Sequence, residues 1–595
     1  MNVKINRRNL FHVMSKNADA HMERIKQYIE QMGDAFLEES SKPNLSFELY
    51  RQFRKNGDRQ GYEDVYFERR KRLTTFGLLA YLYPNERKYV SALEEEIWQV
   101  CNEFTWCLPA HINPSLEEQS FEEYKKGSYL PYTVDLFASE TAFTLAEMTY
   151  LFADLMDPFL IDKVKIEVDR RVLTNFLKNG PFHWETATHN WSAVCAGSIG
   201  MACLYIEEDK DRQEEILTRV FHALKYYLQG FEADGACTEG YGYWQYGFGY
   251  FVYFSDLLAV TSNEQVNLLN QDKVKQIALF QQRIFLADDV VIHYSDAPSN
   301  RVKPMLGFTH RLQKYFSEVQ VPRVSIAQEE IIDHCGRWAP AFRELIWYDT
   351  TLKEQGWSAT TNYFADSSIF ISRRRWKDKP FSFSAKGGHN DEPHNHNDVG
   401  HFILFGGNQL FLRDLGAGQY NRNYFSDKRY EFICNSARGH SIPIINHAVQ
   451  PPGKEYAATE VLMEESEKAE TFSLNLDQAY NDPTLKQFKR TFYWSKDGEP
   501  ELIMKDTFQF TNKPIQIVEQ FVMETMPYKI EEDFIAFFGE GATLRIVFDK
   551  ETVTPVIEEI MYKNHQGEDE PFLLLKFELQ QQDFIHIAFC FQFIE

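Results

Sequence analysis

The sequence lacks the features that mark several specialised classes of protein. Its eight cysteines are scattered through 595 residues without a CxxC pair, which excludes a disulfide framework of the kind found in small secreted domains. Runs of about 18 apolar residues, the length that spans a membrane, are missing. The N-terminal segment is basic but has no apolar core of signal-peptide length. We therefore expect a cytoplasmic protein without a membrane partner.

Positive charge is also scarce. The chain has 63 Lys and Arg residues against 87 Asp and Glu residues, which gives a formal net charge of −24 and a pI near 5.2. Such an acidic chain is a poor general partner for nucleic acids and anionic membranes, so we expect neither to bind. The length and the 44% of apolar residues predict more than one domain.

Helical periodicity characterises the first part of the chain. In residues 211–229 the apolar side chains fall on one helical stripe, and Gly230 follows as a stop signal. Residues 87–106 and 136–157 show a similar pattern. Several amphipathic helices joined by short polar loops predict a helical array or toroid in residues 1–355.

Strand periodicity begins after about residue 355. Short alternating segments are separated by turn signals such as Gly407-Asn408 and Asp497-Gly498, which favour hairpins. Near the C-terminus, apolar side chains alternate with smaller or polar ones at Ile585, Ile587, Phe589, Phe591 and Phe593. We predict a multidomain α and β protein whose residues 356–595 form an antiparallel β-sandwich.

The densest group of chemically active side chains is GGHNDEPHNHNDVGHF, residues 387–402. If this segment is extended, His394 and His396 point to the same face, so that one could face a substrate while the other binds a metal. The same segment holds His389, His401, Asp391 and Asp398. The alternative interpretation is a His-rich polar loop without a chemical role.

Two downstream residues complete a candidate metal-binding set. Asp414 in FLRDLGAGQY and His440 in NSARGHSIPI would join His396 to give two imidazoles and one carboxylate, which suit Zn²⁺. The wide spacing is not diagnostic by itself, because strands bring distant residues together and most aspartates bind no metal. A His/Asp cluster can also build a water-activating site.

The segment DGACTEGYGYWQYGFGYFVYF, residues 234–254, is rich in glycine and aromatic residues. The rings of Tyr241, Tyr243, Trp244 and Tyr246 could line a sugar-binding cleft, and a tyrosine can act as a general acid or base. The alternative for most of these rings is a place in the aromatic core.

The segment HWETATHNWSAV, residues 183–194, precedes an apolar helical run. Asn190 is placed either to cap that helix or to donate its amide to a substrate carboxylate. Glu185 and His189 are nearby candidates with the same two interpretations.

These motifs together resemble the heparinase II/III-like superfamily of polysaccharide lyases. The resemblance rests on HNHNDVGHF, LFLRDLGAGQY and SARGHSIPIIN, and on LPYTVDLFASETA, HNWSAVCAG and DGACTEGYGYWQYG before them. It runs from about residue 70 to residue 450, and its HxHxD segment is the most specific part. It implies an incomplete (α/α) toroid followed by antiparallel β-sheet domains, with a cleft between them where an Asn or His, a Tyr and a His act.

The resemblance also implies roles for individual residues. By position, Asn190 is similar to the residue that neutralises the uronate carboxylate, Tyr243 to the tyrosine of the EGxxY segment, and His394 to the first His of the HxH pair. Tyr241 and Tyr246 compete with Tyr243, because the spacing in the family varies by a residue. The implied ligands of a structural metal ion, which we expect to be Zn²⁺, are His396, Asp414 and His440. The residues expected to bind substrate are His189, Trp244, Tyr246, His401 and Tyr424.

The activity implied by the resemblance is cleavage of uronic-acid-containing glycans by β-elimination, which leaves an unsaturated uronate end. The expected partner is a uronate-containing oligosaccharide or polysaccharide, and the acidic composition disfavours heavily sulphated chains. Two alternatives are a metal-dependent glycan hydrolase and a non-catalytic glycan-binding protein. The glycan, the C5 epimer, endo or exo action and the formation of a homo-oligomer are open at this stage.

Overall fold

The computed structural model describes residues 19–40, 42–118, 120–126, 133–297 and 300–594. Residues 1–18, on which the prediction of no signal peptide rests, lie outside this range, as do 130–132 at the start of LPYTVDLFASETA. The chain forms two compact units. The first comprises Met1–Phe231, Tyr243–Ala278 and Lys303–Glu354, and the second comprises Glu232–Gly242, Leu279–Val302 and Gln355–Glu595.

The first unit is helical. Its longer described helices are Ala20–Glu38, Phe47–Asn56, Gln60–Leu82, Arg87–Cys101, Leu136–Leu151, Pro158–Val168, Asn190–Ile206, Lys210–Gln229, Gly249–Thr261, Leu306–Tyr315 and Trp338–Trp347. Shorter helices are Pro114–Glu118, Ser120–Lys125 and Thr174–Asn179, and Asp272–Ile284 begins in this unit and ends in the other. Among the described helices, none combines the length and the apolar character needed to cross a membrane.

The helix Asn190–Ile206 is enclosed by other helices of this unit. It packs against Leu136–Leu151, Lys210–Gln229 and Gly249–Thr261, and nearly all of its side chains are buried. Close packing requires small residues: a Cβ on Gly197 would lie 2.8 Å from the carbonyl oxygen of Tyr250. The helix therefore forms the centre of the core, and its first residue is Asn190.

The predicted helices are present, with one difference in burial. Lys210–Gln229 buries one stripe that includes Ile216, Val220 and Leu224, and Gly230 is its C-cap, as predicted. Leu136–Leu151, predicted as amphipathic, is instead buried on almost every side because other helices surround it. The sequence of this helix has apolar side chains on all its faces and few charged ones, as expected for a helix that is buried all round.

The second unit is built from antiparallel strands. They are β1 Thr360–Phe364, β2 Ile369–Trp376, β3 Lys379–Lys386, β4 His389–Asn390, β5 Phe402–Gly406, β6 Gln409–Leu412, β7 Ile444–Ile445, β8 Gly453–Ala457, β9 Thr459–Glu465, β10 Ala469–Asn475, β11 Leu485–Ser495, β12 Glu501–Phe510, β13 Ile517–Met523, β14 Tyr528–Ile530, β15 Phe534–Phe538, β16 Thr543–Val547, β17 Pro555–Lys563, β18 Asp569–Glu578 and β19 Phe584–Ile594. One sheet has the order β1-β2-β3-β5-β6-β13-β18-β17, with β7 beside β13, and another has the order β14-β15-β16-β19-β12-β11-β10-β9.

The two sheets enclose one hydrophobic core, as predicted for a β-sandwich. Every second residue of β19, from Ile585 to Phe593, is buried, and the ring of Phe591 contacts the rings of Phe402 and Phe521 from the opposite sheet. The predicted turns are also confirmed. β5 and β6 pair across Gly407-Asn408, and β11 and β12 pair on either side of Asp497-Gly498.

Two segments from the first part of the chain belong to this sheet unit. In the segment 279–302, the backbone carbonyl of Leu286 accepts a hydrogen bond from Ser382 on β3, and the hydroxyl of Tyr294 donates to Ser384 at 2.9 Å. The segment 232–242 carries Glu239. The helix-to-strand change itself falls between Trp347 and Thr360, and the domain boundary at residues 355 and 356 stays a prediction.

Candidate active site

The segment 391–401 is a loop between β4 and β5 and not an extended strand. His394 has a φ of 56°, a left-handed backbone conformation that is unfavourable for a side chain other than glycine. The extended geometry considered for His394 and His396 is therefore wrong, and the two rings are presented by a turn. The side chains of Asn390 and Asn397 hold this loop by donating to Pro451 and Gln450 carbonyls at 2.9 Å.

His394 is the accessible histidine of the HxH pair. Its side chain is 26% exposed, its Nδ1 lies 3.0 Å from Oδ2 of Asp296, and its Nε2 lies 3.6 Å from Oε2 of Glu239. The imidazole thus stands between two carboxylates of the same unit. A partly exposed ring with one nitrogen anchored by a carboxylate is suited to proton transfer.

Asp296 connects this histidine to the rest of the group. Its side chain is fully buried, and Oδ1 lies 3.2 Å from Nε2 of His396. It also receives Nη2 of Arg429 at 2.9 Å and the hydroxyl of Tyr424 at 2.6 Å. Burial alone would raise the pKa of Asp296, but the hydrogen bonds from the two histidines and the charge of Arg429 hold it well below its usual value. The carboxylate is ionised and acts as a pure acceptor.

The predicted metal ligands lie together at the centre of the unit. Nδ1 of His396 lies 3.6 Å from Oδ1 of Asp414, Nε2 of His440 lies 3.4 Å from Oδ2 of Asp414, and the two ring nitrogens are 3.2 Å apart. All three side chains are fully buried. Asp398 belongs to the same group, whose four ligand atoms lie within 4.8 Å of one another. Its Oδ1 also accepts from Lys386 at 2.8 Å.

The donor set fits a Zn²⁺-type cation. Nδ1 of His440 donates to the carbonyl of Ser436 at 2.8 Å, and Nε2 of His396 faces Asp296, so each ring is left with its other nitrogen directed at Asp414. Such outer partners are usual for metal-binding histidines. Oδ2 of Asp414 is buried without a hydrogen-bond partner among the described residues, a costly state that a cation would relieve.

Charges within this group are tightly linked. Burial would lower the pKa of His396, but hydrogen bonds with Asp296 and Asp414 raise it to about 9. Burial would raise the pKa of Asp414, but His440 and His396 hold it well below its usual range. A proton on Nδ1 of His396 and a metal ion on the same atom are alternatives, because both need the same lone pair.

Two of the expected substrate-binding residues are buried in the same unit. His401 is fully enclosed: its Nδ1 accepts from the backbone N–H of Ser441 at 2.8 Å, and its Nε2 lies 3.6 Å from Asp414. Burial lowers its pKa well below the usual value. Tyr424 is also fully buried and bonds to Asp296. These contacts indicate that His401 supports the metal-binding group and that Tyr424 supports Asp296, and neither buried side chain is placed to contact a sugar.

Asn190 and Tyr243 lie in the first unit. The N-cap of the helix is His189, and Asn190 is its first residue, so the capping role considered for Asn190 is wrong and its amide is held at 4% exposure. A Cβ on Gly247 would lie 3.1 Å from the Cβ of Asn190, which places the turn after Tyr243 against this asparagine. That turn, Trp244–Phe248, is π-helical, a conformation frequent at functional sites.

The neighbouring aromatic residues differ clearly in accessibility. Tyr243 is partly exposed, whereas Trp244 is fully buried and donates to the carbonyl of Ile277 at 2.8 Å. Tyr241 belongs to the second unit, is 2% exposed and donates to Gln281. Trp244 therefore fills the core, the alternative considered for these rings, and accessibility favours Tyr243 over Tyr241.

The side chain of Tyr246 is part of a polar cluster in the first unit. Its hydroxyl donates to Glu140, and the guanidinium of Arg337 lies 4.1 Å from the centre of its ring. Burial and the charge of Glu140 raise the pKa of Tyr246 well above its usual value. The hydroxyl of this tyrosine is therefore hard to ionise, which makes Tyr246 a poor proton donor and leaves Tyr243 as the better candidate for acid-base chemistry.

Sequence reasoning missed Asp296, Glu239 and Arg429. Asp296 stands in HYSDA with His293 three residues before it, and one such pair is too common in sequences to single out a site. Glu239 lies within the aromatic segment 234–254, where it begins the EGxxY pattern, and that pattern was the only local signal for it. Their roles depend on two segments of the first half of the chain that pack with the sheets.

The comparisons with known proteins concern the fold. No protein-family model matches the chain, and no curated protein matches it in sequence. A crystal structure of heparinase III aligns with 99% of this chain and 94% of its own, with a TM-score of 0.64 and 12% identity. Heparan sulfate lyase HepC from Pedobacter heparinus aligns with 99% and 93%, with a TM-score of 0.61 and 13% identity.

A third structure extends this similarity to another lyase. The chondroitin AC lyase of Streptomyces coelicolor A3, in complex with chondroitin sulphate, aligns with 99% of this chain and 82% of its own, with a TM-score of 0.59 and 11% identity. The similarity therefore covers both the helical and the sheet part. The chain has the heparinase III-like fold of polysaccharide lyases, helical in its N-terminal part and antiparallel β in its C-terminal part, as the HNHNDVGHF resemblance predicted.

Proposed function

We propose that this protein is a polysaccharide or oligosaccharide lyase that cleaves uronic-acid-containing glycans by β-elimination. The observation that carries the proposal is His394, a partly exposed imidazole whose Nδ1 is anchored on a buried carboxylate. The fold it shares with heparinase III, heparan sulfate lyase and chondroitin AC lyase supports the same conclusion.

The reaction needs three functions that the candidate residues can supply. Asn190 would donate its amide to the uronate carboxylate and stabilise the negative charge that develops there. A base, His394 or Tyr243, would remove the proton on C5, and the electrons of that bond would form the C4–C5 double bond as the C4–O4 bond breaks. Tyr243 would protonate the departing O4 oxygen.

We further propose that His396, Asp414 and His440 hold a structural Zn²⁺. Bound there, the ion would supply a fixed positive charge that neutralises Asp414 and holds the loop segment 391–401. The full burial of all three ligands favours this role over that of a hydrolase, because water activation at a metal needs an open coordination position that substrate can reach.

The decisive experiment is incubation with a panel of uronate oligosaccharides of low sulphation, followed by near-ultraviolet absorbance. A lyase leaves an unsaturated uronate that absorbs, a hydrolase gives reducing ends without absorbance, and a binding protein gives neither. With an active substrate, Tyr243→Phe should lower kcat by about 10²–10⁴-fold, the usual contribution of general acid-base catalysis. Unchanged turnover would remove Tyr243 from the mechanism.

The matched control is Tyr226→Phe. Tyr226 lies on the helix Lys210–Gln229, where its ring contacts His222 at 5.0 Å, and it has no place in the proposed site. Like Tyr243→Phe, the substitution Tyr226→Phe removes a hydroxyl group from a partly exposed tyrosine of the first unit. Activity equal to wild type in the control and loss in Tyr243→Phe would assign the effect to the phenol of Tyr243.

A further inference from the structure

Trp191 differs from the buried tryptophans of the helical unit. Trp106, Trp184, Trp244 and Trp338 are fully buried, and the indole N–H of each donates to an oxygen of the protein. Trp191 is partly exposed, and no described residue accepts a hydrogen bond from its N–H. An indole with both ring surface and N–H available offers an apolar body and a polar edge, which is why tryptophan is enriched at binding surfaces.

Two imidazoles contact this indole. The centre of the Trp191 ring lies 5.0 Å from that of His111 and 5.3 Å from that of His183. The ring planes are inclined by 58° and 52°, so neither imidazole is stacked flat over the indole. The three rings form an aromatic cluster at the start of the helix Asn190–Ile206, and we call it the Trp191 platform.

The platform is anchored through His111. Nδ1 of this residue lies 2.8 Å from Oδ2 of Asp135, a buried carboxylate that also caps the helix Leu136–Leu151 through the N–H of Ala138 at 2.8 Å. The ring of His111 is stacked on that of Phe137, with their centres 6.0 Å apart. Because these contacts hold His111 in place, little side-chain freedom is lost when a ligand binds.

The amide of Asn190 lies next to the platform in the chain. The Cα atoms of Asn190 and Trp191 are about 3.8 Å apart, so two linked sugar residues can contact both side chains. Asn190 is 4% exposed, and its Oδ1 lies 3.4 Å from Nδ1 of His189. Its Nδ2 has no hydrogen-bond partner among the described residues, and it is not one of the atoms fully enclosed without a partner. A nearly buried amide in this state is suited to donate to a ligand.

The surroundings of the platform favour an uncharged sugar. Among the described residues, no Lys or Arg contacts the rings of Trp191, His111 or His183, and the carboxylate that does contact His111 is negative. Partial desolvation and the charge of His111 lower the pKa of His183. At neutral pH the imidazole of His183 is therefore uncharged, and it can both donate to and accept from hydroxyl groups. A sulphate group here would lack the cation that usually binds it.

We propose that Trp191, together with His111 and His183, binds a neutral, unsulphated pyranose of the substrate, the sugar residue linked to the uronate whose carboxylate Asn190 holds. The inference rests on the proposed lyase function, and it deepens it by naming a subsite and the class of sugar that the subsite takes. The C–H face of the pyranose packs on the indole, and its hydroxyl groups bond to the indole N–H and to the imidazoles. Trp191 thus determines affinity and specificity and takes no part in proton transfer.

Trp191→Ala tests the inference with a tetrasaccharide in which uronate alternates with a neutral N-acetylhexosamine. The variant should raise KM by about 10–100-fold, the usual cost of removing a tryptophan anchor from a binding site. Its kcat at saturation should stay within a few-fold of wild type, because a contact made equally in ground state and transition state affects KM alone. Isothermal titration calorimetry in the Tyr243→Phe background should show the same loss in Kd. An unchanged KM and Kd would overturn the proposal.

Trp98→Ala is the control for the loss of an indole. Trp98 lies on the helix Arg87–Cys101, is 41% exposed, and its ring centre is 6.5 Å from that of Phe159, so it lies outside the platform. This variant should keep the wild-type KM and Kd. An equal rise of KM in Trp98→Ala and Trp191→Ala would overturn the proposal.

Two milder variants keep the test decisive if Trp191→Ala does not fold. Trp191→Phe retains an aromatic ring but loses the N–H, and His183→Ala removes an exposed side chain, so both should keep the Tm of wild type. Each should raise KM by less than Trp191→Ala is expected to do, while leaving kcat unchanged. Wild-type KM in both would overturn the proposal.

A sulphate on the N-acetylhexosamine tests the predicted class of sugar. The sulphated tetrasaccharide should bind wild type more weakly than the unsulphated one, and Trp191→Ala should reduce the difference. Tighter binding of the sulphated tetrasaccharide would overturn the assignment.

The lyase proposal and the platform can fail separately. If the tetrasaccharide binds but gives no unsaturated product, the lyase proposal fails, whereas a weaker Kd in Trp191→Ala still supports the platform. If wild type forms the product and Trp191→Ala keeps its KM and Kd, the lyase proposal stands and the platform fails. If the tetrasaccharide neither binds nor reacts, both fail.

Discussion

Zinc should stabilise the folded protein through His396, Asp414 and His440, and His440→Ala should abolish the effect. The three ligands are far apart in the sequence and are all fully buried in the folded unit, so an unfolded chain cannot bring them together. Binding to the folded state alone stabilises it by about 2.7 kcal/mol when free zinc is about 100 times its Kd.

This free energy corresponds to a measurable change in melting temperature. A unit of this size gains about 2–4 °C in Tm per kcal/mol, so zinc should raise the Tm of the chelated protein by about 5–10 °C. The assay is differential scanning fluorimetry of chelated protein across a zinc titration. The quantity compared is the zinc-induced shift in Tm and not the absolute Tm, since His440→Ala also leaves a cavity in the core.

The matched control is His389→Ala, which removes a histidine from the same segment. The Nδ1 of His389 accepts from the backbone of Asp391 at 3.2 Å, and this residue lies outside the metal-binding group. His389→Ala should keep the full zinc-induced shift in Tm. In wild type, chelation should lower both the activity and the Tm. An equal zinc-induced shift in wild type and His440→Ala would refute the reasoning.

Two further predictions concern the stability of each unit. Nδ1 of His310 accepts from the backbone N–H of Asp349 at 2.9 Å, and burial lowers the pKa of His310 to about 4. Because the folded pKa is lower than the unfolded one, this stability is present above about pH 6.5 and is lost as pH falls toward 4. Urea unfolding at pH 7.5 and pH 5 should show about 2 kcal/mol more loss in wild type than in His310→Gln, and equal losses would contradict the assignment. Phe591→Ala should lower the free energy of unfolding by about 3–5 kcal/mol, because its fully buried ring contacts Phe402 and Phe521; a loss under 1 kcal/mol in the same assay would contradict the packing of the sandwich core.

Local patterns predicted the two fold classes because each is determined by periodicity. The alternation of β19 and the stripe of Lys210–Gln229 reflect which side of an element faces a core, and both were confirmed. The burial of Leu136–Leu151 on nearly every side could not be read from its own sequence. It depends on which other helices surround it, and that is decided by contacts between residues far apart in the chain.

The candidate site was predictable only where a motif carried it. The HxHxD segment indicated His394 and His396. Asp414 and His440 were candidates by residue type, the resemblance supported them as metal ligands, and the structure brings both into one group with His396. The segment containing Asp296 has no such motif, and Asp296 lies beside His394 because 279–302 packs with the sheets. The burial of individual side chains could not be predicted either. The sequence around Trp244 and His401 is compatible with a place in a cleft, but both side chains lie in the interior.

The position of Asp296 explains why a chemically inactive metal would matter to catalysis. His396 contacts the metal ligands through Nδ1 and Asp296 through Nε2, so the ring can bind a cation only in the state that donates to Asp296. Asp296 in turn orients His394 through its other oxygen. Without the metal, Nδ1 of His396 would hold a proton instead, because hydrogen bonds with Asp296 and Asp414 raise the pKa of this ring to about 9. One carboxylate, that of Asp296, thus contacts both a proposed metal ligand and His394, so chelation should lower activity even though His394 does not bind the metal.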